Sequence, residues 1–326
     1  MSNVVFILGA GASKPAGAPV MADFLDIAAD LLRSNRVPEK ASQFQAVFKA
    51  IGGLQQVHSK AQLDLNNIES IFTALELGRV IRRLPGVDPS ATEDIIKALK
   101  ALIVSTLQVT MAFPTRKREI LPPGNYGEFA TLLRYLKEKV DPVQSTSVIT
   151  FNYDIGLDLA MYREHLGPDY VIEPAPQNPQ AVALLKLHGS LNWATETSTK
   201  KIRPLHMHDY LARYETHVSD DGSAIHVPIG SQLVHYFGQY SQPSRQVDDE
   251  PLIIPPSWNK ADYHHALSDV WASAADHLSG AESIFVIGYS LPHTDSFFRH
   301  LFALGSVGDS PLRRLVVFNP DPILSL

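Results

Sequence analysis

At 326 residues, with 45% hydrophobic and 19% charged side chains, the chain has the composition of an ordinary globular protein and is long enough for one or two domains. A net charge of -6 with no basic stripe speaks against a general nucleic-acid binder, and no apolar run approaches the roughly 20 residues that span a bilayer. With no cysteine there are no disulfides, thiolate nucleophiles or cysteine zinc sites. The N-terminus opens directly into a strand, so no secretory signal is expected and a cytoplasmic location is.

The first apolar run, Val4–Leu8, stops at Gly9-Ala10-Gly11-Ala12-Ser13. Met21, Phe24, Leu25, Ala28, Leu31 and Leu32 then recur at helical spacing. "NNIESIFTALELGRVI" carries Asn66 and Glu69 at capping-box spacing, with Ile68, Ile71, Phe72 and Leu75 on one face. "FPTRKREILPPGNYG" reads as a connector punctuated by proline and glycine, and "EFATLLRYLKEKV" as a further helix. Further short apolar runs follow at 147–151, 184–187, 252–254, 283–287 and 315–318. Leu267, Val270, Trp271, Ala274 and Leu278 mark another helix.

Continuous apolar runs of this length suit strands covered on both faces. The expected fold is therefore α/β: one domain over 1–326 with a Rossmann-like, doubly wound, mostly parallel sheet. A helical insertion is expected over about 21–145 and an irregular loop module over about 196–250.

The glycine loop alone admits several readings. A dinucleotide fingerprint G-x-G-x-x-G would need glycine where Lys14 stands, and Ser13-Lys14-Pro15 breaks a P-loop. A tight turn with no ligand is the plain alternative. Three further strand ends narrow the choice: Asn152-Tyr153-Asp154, His188-Gly189-Ser190 and Gly288-Tyr289-Ser290. Ligands of open parallel sheets bind beyond the carboxyl ends of the strands, so these loops are expected to converge on one crevice. Asp295 reads as the cap of a helix through Phe297, Phe298 and Leu301, and Lys260 as a solvated residue or a nucleotide contact. The histidines at 206, 208, 264, 265 and 293 lack the H-E-x-x-H spacing, and no metal is expected.

"GAGAS", "TFNYD" and "LHGS", in that order, resemble the motifs of the sirtuin fold. "GYSLPHTDSFFRHLF", "NNIES" and "LIIPPSWNK" look closer to the bacterial sirtuin-like branch found in antiphage defence systems. The resemblance covers essentially the whole chain, least well in the helical insert and 196–250. Deacetylase sirtuins carry a four-cysteine zinc module that this chain cannot form. The defence branch generally lacks it and hydrolyses NAD.

The resemblance thus implies an NAD⁺ glycohydrolase that releases nicotinamide and ADP-ribose, draining NAD in antiphage defence. A trigger would be needed: a small molecule, a homo-oligomer interface or a second defence-system subunit acting as sensor. By similarity, Asn152 would orient the ribose or the attacking water, Asp154 would meet the nicotinamide carboxamide, and His188 would be the base. The loop Gly9, Ala10, Gly11, Ala12 and Ser13 would cradle the pyrophosphate, with Gly288 and Ser290 at the other phosphate or ribose and Asn319 on the adenosine side. NAD-sensing without turnover, and NAD-dependent ADP-ribosyl transfer or deacylation, are the alternatives.

Overall fold

In the computed structural model the described residues are 2–55, 63–140, 144–172, 180–218, 226–229, 233–234, 246–254, 261–289, 296–305, 307–308 and 310–318. The elements run in the order β1 (Val4–Leu8), α1 (Phe24–Arg33), α2 (Ala41–Leu54), α3 (Ile68–Ile81), α4 (Thr92–Thr110), β2 (Ala112–Arg116), β3 (Glu119–Ile120), α5 (Gly124–Glu138), β4 (Thr146–Thr150) and α6 (Gly156–Arg163). They continue with β5 (Pro168–Asp169), β6 (Val182–Lys186), β7 (Trp193–Thr195), β8 (Ile202–Pro204), α7 (Met207–Tyr214), β9 (His226–Pro228), α8 (Ala261–Ser279), β10 (Ser283–Ile287), α9 (Ser296–Gly305) and β11 (Arg314–Phe318).

Six strands form one sheet in the order β11-β10-β1-β4-β6-β5, parallel at every pairing. The central strand β1 is buried along its whole length, as its unbroken apolar run requires. The chain leaves β1 toward β4 and β6, then returns to the opposite side of β1 as β10 and β11. Right-handed crossovers therefore set α5 and α6 on one face and α8 and α9 on the other. Phe6 of β1 meets the Phe129 ring of α5 edge-on at 5.0 Å. Across the sheet, the Trp271 indole of α8 donates to the Leu187 carbonyl at 3.0 Å.

The buried apolar side chains form two groups. One lines the sheet and its covering helices, with Val5, Ile7, Ile149, Leu185, Leu267 and Ala274 fully buried. The other joins α1 to α4 with residues from the far end of the sequence, including Leu205, Met207, Tyr210 and Ile229. β9 pairs with β2, so residues 226–228, like Leu205, Met207, Tyr210 and Ile229, pack onto the helical region.

Three local expectations are corrected. The cap of α3 is Asn67, whose Oδ1 accepts from Glu69 N at 2.8 Å, one residue later than the Asn66 spacing suggested. The connector before α5 holds the hairpin β2–β3, turned by Lys117 and Arg118 at φ of 50° and 66°, and α5 itself starts at Gly124. Positive φ at both central residues is the hairpin geometry that Asn-Gly usually signals, and here lysine and arginine occupy it without that signal. Among the described residues the run 252–254 is not a strand of the sheet and makes a single bridge, Ile253 to Gly189. Asp295, Ser290, Asn319, Lys260 and His293 lie outside the described residues.

Candidate active site at the carboxyl edge of the sheet

The strand order reverses between β1 and β10, and the loops leaving these two strands touch. Gly9 N donates to Ile287 O at 3.0 Å and Gly11 N to Gly288 O at 2.9 Å. Gly288 has φ of +62°, and a Cβ there would lie 2.3 Å from Ala12 N. A Cβ on Gly9 would lie 2.6 Å from Gly288 O. The glycines are thus needed for backbone to meet backbone at the switch point. Ala12 N and Ser13 N donate within the turn, to Gly9 O at 3.0 Å and Ala10 O at 3.1 Å. The N–H groups of Gly9, Gly11, Ala12 and Ser13 are therefore all engaged inside the protein.

β4 ends at Thr150, and the next residues divide between two clusters. The first is polar and lies on the α5 and α6 flank. Asn152 Nδ2 donates to Gly9 O and to Ser13 Oγ, both at 2.8 Å, and lies 3.3 Å from the Tyr126 hydroxyl. Ser13 Oγ donates to Asp154 Oδ2 at 2.5 Å and lies 2.7 Å from the Tyr126 oxygen. With the Ser13 proton given to Asp154, the Tyr126 hydroxyl is the donor in that pair. The other Asp154 oxygen accepts from Gly156 N at 2.8 Å, so Asp154 also serves the start of α6. Asn125 Nδ2 fastens the turn from α5 by donating to Ala12 O at 2.7 Å. Burial pushes the Asp154 carboxyl above its ordinary value, although Lys186 and the Ser13 and Gly156 bonds pull the other way. Burial raises the Tyr126 phenol, and the Asp154 charge adds to it.

The second cluster is aromatic. Phe151 stacks on Tyr289 at 4.5 Å between centroids and meets Phe298 of α9 edge-on at 5.0 Å. The His188 ring lies 5.3 Å from Phe151 and 6.2 Å from Tyr153. The Tyr153 hydroxyl donates to Ile254 O at 3.1 Å, and Ile254 N donates to His188 O at 2.8 Å. The structure thus brings Ser13, Asn152 and Asp154 into hydrogen-bond contact, whereas the His188 side chain packs among rings.

Beneath both clusters sits Lys186, the last residue of β6, with 1% of its surface exposed. Its ammonium donates to Asp154 O at 2.6 Å, Asp158 Oδ2 at 2.8 Å and Ser190 Oγ at 2.6 Å. Leu8, Thr150, Leu184 and Lys186 line a small internal gap of about 10 Å³ with Tyr126 and Leu157. Tyr126 and Lys186 escaped the sequence reading. Tyr126 sat in a stretch read as connector. Lys186 left a usable trace, because a lysine inside a buried apolar run demands a buried partner.

Among the described residues, no group of three or more His, Cys, Asp or Glu is placed to hold a metal ion. No helix searched is long and apolar enough to cross a membrane. Fold and edge together define the class: an α/β protein with a parallel sheet, glycine contacts at its topological switch point and a buried polar cluster beside them.

No protein-family model and no curated protein matches the chain. Solved structures with a related layout include a Sir2 homologue in complex with NAD, at 13% identity and a TM-score of 0.41, covering 98% of this chain and 78% of that one. Another is Sir2 bound to an acetylated peptide, at 13% and 0.41, covering 98% and 81%. A Sir2 homologue mutant in complex with ADP-ribose matches at 13% and 0.38, covering 95% and 85%. Likenesses of this strength leave the activity of this chain to be argued from its own residues.

Proposed function

We propose that this chain is an NAD⁺ glycohydrolase whose substrate lies across the carboxyl edge of β1, β4 and β10. The observation that carries the reading is the cluster of Ser13, Asn152 and Asp154, drawn from two neighbouring strand ends beside the switch point. An open parallel sheet offers its ligand crevice at that location. Ala10, Gly11, Asn152 and Tyr153 are only partly buried along it, so the edge can be reached from solvent.

The residues fit the chemistry in part. Both Asn152 amide protons are engaged by Gly9 and Ser13, so its carbonyl oxygen is what it offers a ribose hydroxyl or a water. In the reaction the bond between the anomeric carbon and the pyridinium nitrogen breaks, and its electron pair neutralises the nicotinamide ring. Water oxygen bonds to the carbon from the other face, and the water gives up a proton. The motif likeness nominates His188, whose ring packs against Phe151 and Tyr153, as the imidazole that receives it. The motif likeness supports a role in antiphage defence by NAD depletion, with a partner, an oligomer or a small molecule as trigger.

A second reading draws on one specific observation. The His188 ring packs against Phe151 and Tyr153, whereas the Asn152 side chain bonds to Gly9 and Ser13. That arrangement suits a module that binds NAD or ADP-ribose and reports occupancy without cleaving it. Nicotinamide release from NAD⁺, followed with and without candidate triggers, separates the two. The glycohydrolase is expected to lose about a hundredfold or more in rate on Asn152→Ala. Equal rates in parent and variant would remove the assignment. Calorimetric binding of ADP-ribose with no turnover under any trigger would install the second reading.

A further inference from the structure

We propose that Lys186 is a positioning residue that holds the Asn152–Asp154 loop and the His188 loop in fixed relation; its consequence for catalysis rests on the glycohydrolase reading. An ammonium carries three protons, and Lys186 delivers one to each of three acceptors from different parts of the edge. The Asp154 carbonyl belongs to the loop after β4. Ser190 belongs to the loop after β6, two residues beyond His188. Asp158 belongs to α6.

These contacts close into a ring of side chains. Tyr170 donates to the remaining Asp158 oxygen, Asn192 Nδ2 donates to the Tyr170 oxygen at 3.2 Å, and Ser190 Oγ lies 2.6 Å from Asn192 Oδ1. All five members are buried, with Asp158, Ser190 and Asn192 showing no exposed surface. Asn192 Nδ2 also donates to Leu205 O at 2.9 Å, which ties the ring to the chain beyond β8.

A buried ion pair is a poor way to gain stability, because well-packed apolar side chains of similar volume do as well or better. What it supplies is direction. The only covalent route from Asp154 to His188 runs through α6, β5 and β6, but through the lysine they are two hydrogen bonds and a short loop apart. The loop after β4 and the loop carrying His188 meet at this buried ammonium, and Leu191 N, donating to Tyr153 O at 2.8 Å, and Ser190 Oγ, 3.1 Å from the same oxygen, join them beside it.

Lys186→Met alone would leave the Asp158 carboxylate buried without its partner, so the deciding variant is Lys186→Met/Asp158→Asn. It is neutral and keeps an acceptor for Tyr170. The readouts are the thermal midpoint, kcat and KM for nicotinamide release, and the side-chain amide resonances of Asn152, assigned by their loss in Asn152→Ala. The expected result is a midpoint within a few degrees of the parent, kcat lowered about tenfold or more, KM within about twofold, and displaced Asn152 resonances. Ser190→Ala cuts the lysine's tie to the His188 loop together with the Ser190 contacts to Tyr153 O and Asn192 Oδ1, and it is expected to shift the His188 ring resonances more than those of Asn152.

Parental kcat together with unmoved Asn152 and His188 resonances in these variants would overturn the proposal. So would a rate loss that merely tracks the unfolded fraction. If the parent never consumes NAD⁺ but the resonances move as stated, the glycohydrolase reading falls and the positioning role of Lys186 stands.

Discussion

The two clusters at the carboxyl edge are built from alternating residues of one short segment, yet they obey different physics. Asn152 and Asp154 are held by directional bonds of 2.5 to 2.8 Å to Ser13, Gly9 and Gly156. Phe151 and Tyr153, interleaved with them, are held by rings whose partners arrive from β6, β10 and α9. The two sets alternate along 151–154, just beyond the end of β4 at Thr150. A motif written as a string, such as "TFNYD", therefore encodes two environments at once. Its polar letters specify hydrogen bonds, and its aromatic letters specify a wall.

The comparison breaks most visibly at Phe151. Phe151→Ala removes a ring that touches three others and is expected to cost about 3 to 5 kcal/mol in denaturant unfolding. A loss below about 1 kcal/mol would mean that the rings are not a packed wall. His188→Phe sharpens the question by keeping a ring and deleting the imidazole. Stability is expected to move by only about 1 kcal/mol, while nicotinamide release falls about a hundredfold or more. Unchanged release would reduce His188 to packing.

On the polar side, Tyr126→Phe deletes one buried hydroxyl and is expected to cost about 1 kcal/mol, read from the urea midpoint at constant slope. No cost would show that Asn152 alone satisfies Ser13 Oγ. The smallest effect is expected at Asp154. Burial raises its carboxyl above 3.8 in the folded protein, so the ionised form is less favoured there than in the unfolded chain. The penalty is absent well below pH 3.8, grows as pH rises through the folded value, and is full above it. Asp154→Asn should therefore raise the thermal midpoint slightly at pH 7, with the gain fading as pH falls toward 3.8. Destabilisation at pH 7 would mean that the Ser13 and Gly156 bonds outweigh the burial of the charge.

Much of the sheet was legible in the sequence. The runs Val4–Leu8 and Ser283–Ile287 become β1 and β10 without a shifted end, because Val4–Leu8 and Ile284–Ile287 are unbroken apolar stretches closed by glycine. The loops that gather at the edge were legible for the same reason, since glycine and asparagine punctuate strand ends. The partition of those loops was not. It depends on which face each residue takes after the strand stops, and on Tyr126, which arrives from a helix that began inside the stretch read as connector. The hub at Lys186 depends on Asp158 and Ser190, each plain in its own stretch of sequence and joined only when α6 packs over β6.

The contact between Gly288 and the Gly9–Ala12 turn bears on the protein's history during synthesis. Ser13 and Asp154 are separated by 141 positions, and the second wall of the switch point waits for β10, near the end of the described chain. Closures this long come late in folding, after the local helices have formed. A ribosome that has not yet passed residue 288 holds a crevice with one side missing.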